Sequence, residues 1–123
     1  MANEITTSIS LQLINSFLRL DFKPAKIQTT QSTAGLFDSV RSIATTETTV
    51  SLTGITTPKV AVIWNLDATN YVEFGTTTTD YPIKLFPTGT GIPNVITLNA
   101  TKTTLYLKAN TAACKVRIIV LEA

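Results

Sequence analysis

The chain has 123 residues, a formal net charge of +2, 44% apolar and 15% charged residues, and no histidine. That length describes one domain, able to bury roughly two-thirds of its unfolded surface without disulfide staples. The apolar content excludes wholesale disorder, and so small a charge, with its basic residues scattered, excludes nucleic acid as the expected partner.

Residues 5–13 alternate, with Ile5, Thr7, Ile9, Leu11 and Leu13 on one face and Thr6, Ser8, Ser10 and Gln12 on the other. This is the pattern of a half-buried strand. Residues 14–16 can turn. Leu18, Leu20 and Phe22 then alternate with Arg19 and Asp21 up to Pro24. A helix over 10–22 is the competing reading, because Leu11, Ile14, Leu18 and Phe22 also recur at helical spacing; the two-residue period fits more of the residues. Residues 25–33 are polar apart from Ala25 and Ile27, an extended strand or arm. Residues 39–45 and 48–53 read as strands around a candidate hairpin turn at Thr46-Glu47.

The stretch Lys59 to Gly75 organises the rest. Val60, Val62 and Trp64 point one way and Ala61 and Ile63 the other, so both faces are apolar, as in a strand covered on both sides. Asn65 to Asn70 carries turn chemistry, and Tyr71 to Phe74 alternates again before Gly75. The expectation is a central hairpin whose core and organising residues are Val60, Val62, Trp64, Tyr71 and Phe74. Residues 81–86 form a further strand, placed at an edge by Pro82. A Pro- and Gly-rich loop follows at 87–94, and strands at 95–98, 104–109 and 114–121 close the chain.

About nine or ten short strands at regular spacing predict an all-β fold: an antiparallel β-sandwich or jelly-roll-like barrel. It is read as a single domain over 1–123. Residues 1–55, more polar, serve as an extended N-terminal arm or outer layer around a core of residues 56–123. Threonine occurs 24 times; it favours strands and stays compatible with water. A Thr-rich surface with few charges suits a protein packed against neighbours as well as it suits an ordinary sandwich.

The chemistry of catalysis is thin. Without histidine there is no Ser-His-Asp or Cys-His arrangement, and zinc lacks its usual ligands. Gly89-Thr90-Gly91 has neither the strand-to-helix setting nor the lysine of a phosphate loop. The eight carboxylates are spread singly along the chain. No enzymatic activity and no cofactor or metal are expected. Cys114 reads as a small buried hydrophobe. Asp67, Asn70 and Asp80 are oxygen donors in neighbouring loops; they read as turn formers, with a calcium site as the alternative. Trp64 and Tyr71 could stack on a sugar, though alternation puts Trp64 with the core. Asn99-Ala-Thr101 is an acceptor sequon that matters only in a secreted chain. The N-terminus has no basic segment followed by an apolar one, so the chain is expected to fold in a cytoplasm, away from the membrane.

The segment Gly54-Ile-Thr-Thr-Pro58, followed by Trp64-Asn-Leu-Asp-Ala-Thr-Asn-Tyr-Val-Glu-Phe-Gly75, resembles a family of small tailed-bacteriophage virion structural proteins. The apolar strand near 81–85, the run Leu105-Tyr-Leu-Lys-Ala-Asn-Thr-Ala-Ala113 and a last hydrophobic strand ending in an acid are similar too. Residues 87–99 are longer and richer in Pro and Gly than that pattern. The resemblance covers most of 54–123, and it implies a non-enzymatic virion component assembled in the host cytoplasm. The leading expectation is a capsid decoration or cement protein, a homo-oligomer whose partner is the major capsid protein or another virion protein. A tail, neck or baseplate component, or a carbohydrate- or receptor-binding module, is the alternative. Strand addition at exposed edges would supply contacts, with Ile5, Ile9, Leu11 and Ile27 as candidate partner-contact residues.

Overall fold

A computed structural model describes residues 4–31, 35–89 and 91–122. The chain is all-β and divides into two compact units, residues 1–32 and residues 33–123.

The first unit contains four strands: β1 (Ile5–Thr7), β2 (Leu11–Asn15), β3 (Leu18–Phe22) and β4 (Ile27–Thr29). They nest as an interrupted antiparallel ribbon. β1 pairs with β4, Ile5 opposite Thr29, and β2 pairs with β3, Leu11 opposite Phe22. Ser16 and Phe17 form the two-residue turn between β2 and β3. Ser16 takes a positive φ of 31°, the hand that lets a tight turn match the twist of its strands. The ladder lapses where Pro24, with no N–H to donate, interrupts the return strand. At the base, the Gln31 N–H donates to the Glu4 carboxylate at 3.0 Å. That bond holds the Glu4 carboxyl below the usual carboxylate range.

The second unit has eight strands: β5 (Leu36–Ile43), β6 (Thr48–Ser51), β7 (Pro58–Asn65), β8 (Val72–Gly75), β9 (Ile83–Leu85), β10 (Asn94–Thr97), β11 (Thr104–Ala109) and β12 (Cys114–Glu122). They form two antiparallel four-stranded sheets, in the orders β10-β7-β12-β5 and β6-β11-β8-β9. First pairs with last, second with second-last, and so inward: β5 with β12, β6 with β11, β7 with β10, β8 with β9. A ribbon paired this way and wrapped into two sheets is a jelly roll.

The core lies between the sheets. Ile43, Ala61, Ile63, Val116, Ile118 and Val120 meet Val50, Val72, Phe74, Leu85, Leu105 and Leu107, all buried. Inward residues alternate with outward ones along β12, the longest strand, as a sandwich requires. Cys114 belongs to this core, and its burial raises the thiol pKa.

Several sequence expectations change. Twelve strands lie among the described residues where nine or ten were counted, and the segment 5–13 is two of them, β1 and β2. Within 10–22 the two-residue period holds: β2 and β3 form there, and the competing helix does not. The unit boundary falls at 32, not 55, because β5 and β6 pair with the C-terminal strands β12 and β11. The expected hairpins at 46–47 and 65–70 are absent: β5 and β6 lie in different sheets, as do β7 and β8. Turn chemistry marks where a strand ends. It does not say whether the chain returns beside itself or crosses to the facing sheet. Pro82 does precede an edge strand, β9.

Candidate interaction surfaces

Every residue of β2 and β3 is exposed. The register puts Leu11 beside Phe22, Leu13 beside Leu20, and Asn15 beside Leu18 on one face. Gln12 beside Asp21 and Ile14 beside Arg19 occupy the other. One face of this ribbon is therefore almost wholly apolar, with its five large side chains between 43% and 61% exposed. Phe17 at the tip is 100% exposed. An isolated two-stranded ribbon is marginally stable in water, and an uncovered apolar face of this kind marks a place where something else binds. Of the residues expected to touch a partner, Leu11 lies on this face and Ile9 and Ile27 are exposed outside it. Ile5 is buried and so offers no free surface.

A second apolar surface lies on the outer side of the β10-β7-β12-β5 sheet. Val62 stands between Val95 and Ile119, and Leu121 between Val60 and Leu36, by strand register. Trp64, 38% exposed, and Val40 flank Arg117 in the next row. Arg117 donates to both oxygens of Asp38, at 3.1 Å and 2.8 Å. The Arg117 hydrogen bonds hold the Asp38 carboxyl below its usual range, and Asp38 in turn raises the guanidinium pKa. The outer side of the other sheet is of a different kind. There the register sets Thr49 beside Tyr106 and Lys108 beside Glu73, with Lys84 next along.

Trp64 and Val62 correct the expectation of a core role. The residues of β7 that enter the core are Ala61, Ile63 and Asn65, all buried, whereas Val60 and Val62 are half-buried. Both faces of this strand are apolar, so alternation identifies the faces without saying which is inside. Asn65 decides it. Its side-chain amide donates to the carbonyls of Asn70 at 2.8 Å and Leu85 at 3.1 Å, and more weakly to Phe86. Its oxygen accepts from the Asp67 N–H at 2.9 Å. It thereby pins the end of one sheet to β9 of the other and to the loop between β7 and β8. Phe74 is in the core; Tyr71 is half-buried, with the Lys84 ammonium 3.7 Å from its ring centroid.

No family model, curated protein or solved structure matches this chain. Function must be read from the surfaces themselves. The loop donors considered for calcium are engaged locally: Asp67 Oδ1 accepts from Thr69 N at 2.8 Å and Asn70 N at 2.6 Å. Those bonds lower the Asp67 pKa. Asp80 lies in the β8–β9 loop, its N–H bonded to the Thr77 carbonyl at 3.2 Å. Among the described residues, no group of three or more His, Cys, Asp or Glu side chains gathers as a metal site would need. Glu47, in the β5–β6 connection, accepts from Thr78, Thr79 and the Tyr81 hydroxyl of that β8–β9 loop. The Tyr81 phenol is raised to about 12 by that bond, and Glu47 is lowered by it. This cluster ties the β5–β6 connection to the β8–β9 loop.

Proposed function

We propose that this protein is a non-enzymatic structural component of a tailed-bacteriophage virion, and that it decorates the capsid as a cement protein. The observation that carries the reading is the β2–β3 arm, a ribbon exposed along its whole length with an apolar face. A chain that joins a jelly roll to such a ribbon is suited to assembly on a repeating surface, where many weak contacts add up. Jelly rolls serve viral capsids, lectins and other proteins alike, so topology by itself chooses none of these. The resemblance in residues 54–123 directs the choice to the virion. Localisation follows: the virion, after assembly in the bacterial cytoplasm.

Purified protein should co-sediment with empty capsids of the host phage to a saturating ratio. Deletion of residues 1–33 should abolish that binding while the jelly roll stays folded by circular dichroism. Full binding by a folded, armless chain would refute the role of the arm. Gold-labelled antibody on whole virions distinguishes the neighbouring reading, a tail or neck component, by where the label falls.

A further inference from the structure

We propose that the β2–β3 arm of one copy packs its Leu11, Leu13, Leu18, Leu20 and Phe22 face onto the outer side of the β10-β7-β12-β5 sheet of a second copy. Both surfaces are open to solvent on the single chain. The arm side chains are about half exposed, and Trp64, Val95, Leu36 and Val40 are between 38% and 67% exposed. A monomer rarely leaves two such surfaces uncovered.

The two match in kind, size and charge. Each is a β surface, and two such faces pack about 10 Å apart with interleaved side chains. Five-residue strands span roughly 13 Å from first to last residue at about 3.3 Å per residue. The apolar rows from Val60 to Trp64 span roughly 13 Å on the same rise, across four strands about 4.8 Å apart. The arm's apolar face bears no charge, since Arg19 and Asp21 fall on its opposite side. The sheet's central charges, Arg117 and Asp38, already neutralise each other, so covering them leaves no unpaired ion. The polar outer side of the other sheet offers no such match.

Area favours a second copy. Half-exposed Leu and Phe side chains present on the order of 100 Å² each. One arm on one sheet then buries on the order of 1,000 Å² counting both partners, and reciprocal exchange doubles it. That reaches the roughly 1,200–2,000 Å² of stable interfaces. The second contact is the first repeated, as closed symmetry requires.

The test uses the purified full chain, without capsids, and does not depend on the virion reading. Light scattering after size exclusion should give a multiple of 13.3 kDa. Leu13→Asp/Leu20→Asp and Trp64→Glu/Val95→Glu should each be monomeric, and mixed one to one they should form a heterodimer by native mass spectrometry. Trp64, the sole tryptophan, gives a readout that requires no change to the sheet. Its emission should shift to longer wavelength in the arm variant and on dilution of the wild type. A monomeric wild type at about 100 µM, a few decades above nanomolar association, would overturn the proposal. So would an arm variant that stays oligomeric, two folded monomers that do not combine, or Trp64 emission indifferent to the arm. Loss of capsid binding with self-association intact would refute only the virion reading.

Discussion

Asn65→Ala tests whether one buried amide holds the two sheets of the jelly roll in register. The side chain is buried and makes two well-formed bonds to the carbonyls of Asn70 and Leu85, with a third from Asp67 N. Removing it leaves those groups without their partner, in a place where water enters poorly. Each buried group left unsatisfied costs about 1–3 kcal/mol. Some relaxation around the solvent-facing loop brings the expected total to about 3 kcal/mol. For a domain of this size that is roughly 12–24 °C in Tm, at about 4–8 °C per kcal/mol. Asn65→Asp is the sharper variant. It keeps the shape but replaces the amide donor with a carboxylate oxygen facing three carbonyl oxygens, so it should cost at least as much at pH 7. Because those oxygens disfavour the carboxylate, its folded pKa lies above its unfolded one. The variant should therefore recover stability as pH falls, opposite to the ordinary acid limb. Urea melts at pH 7 and pH 4.5 measure both effects. A loss below about 1 kcal/mol for both variants, within the range of ordinary surface changes, would refute the account of Asn65 as the pin between sheets.

Glu122 gives a second pH dependence. Its carboxylate accepts from the N–H groups of Thr56 and Thr57 and from the Thr56 hydroxyl, and these bonds lower its pKa from the ordinary 4.5. A depressed folded pKa contributes stability above about 4.5 that is lost as pH falls. Glu122→Gln should be less stable than wild type at pH 7, and the gap in urea midpoint should narrow toward pH 3; a constant gap would contradict the linkage. Gly75→Ala should destabilise by about 1–3 kcal/mol, as overpacking does, because an added Cβ would overlap the Asp80 carbonyl oxygen and touch Pro82 Cδ at 3.0 Å. A thermal melt unchanged from wild type would show that the β8–β9 loop gives way freely. Cys114 should be inert to a thiol reagent at pH 8 in the native state and react fully in denaturant, since burial raises its pKa; rapid native labelling would contradict its place in the core.

The sequence by itself determined the kind of structure. Alternation at period two, frequent turn residues and a threonine-rich composition leave an all-β chain as the consistent solution, and they locate most strands to within a few residues. Each of those signals is local, arising from side chains that point to opposite faces and from residues that tolerate a turn. Which strands became neighbours was a tertiary decision. β5 and β12 stand 70 residues apart in the chain and pair along eight positions, and no local pattern encodes that. The same holds for the faces of β7. With apolar residues on both sides, only the buried bonds of Asn65 and the volume between the sheets set Ala61 and Ile63 inward and Trp64 outward. The arm followed the same rule. Leu11, Leu13, Leu20 and Phe22 read as one apolar face of two half-buried strands, with Leu11 as a candidate contact, because periodicity reports that a face is apolar and not what covers it. Only the three-dimensional structure left that face open.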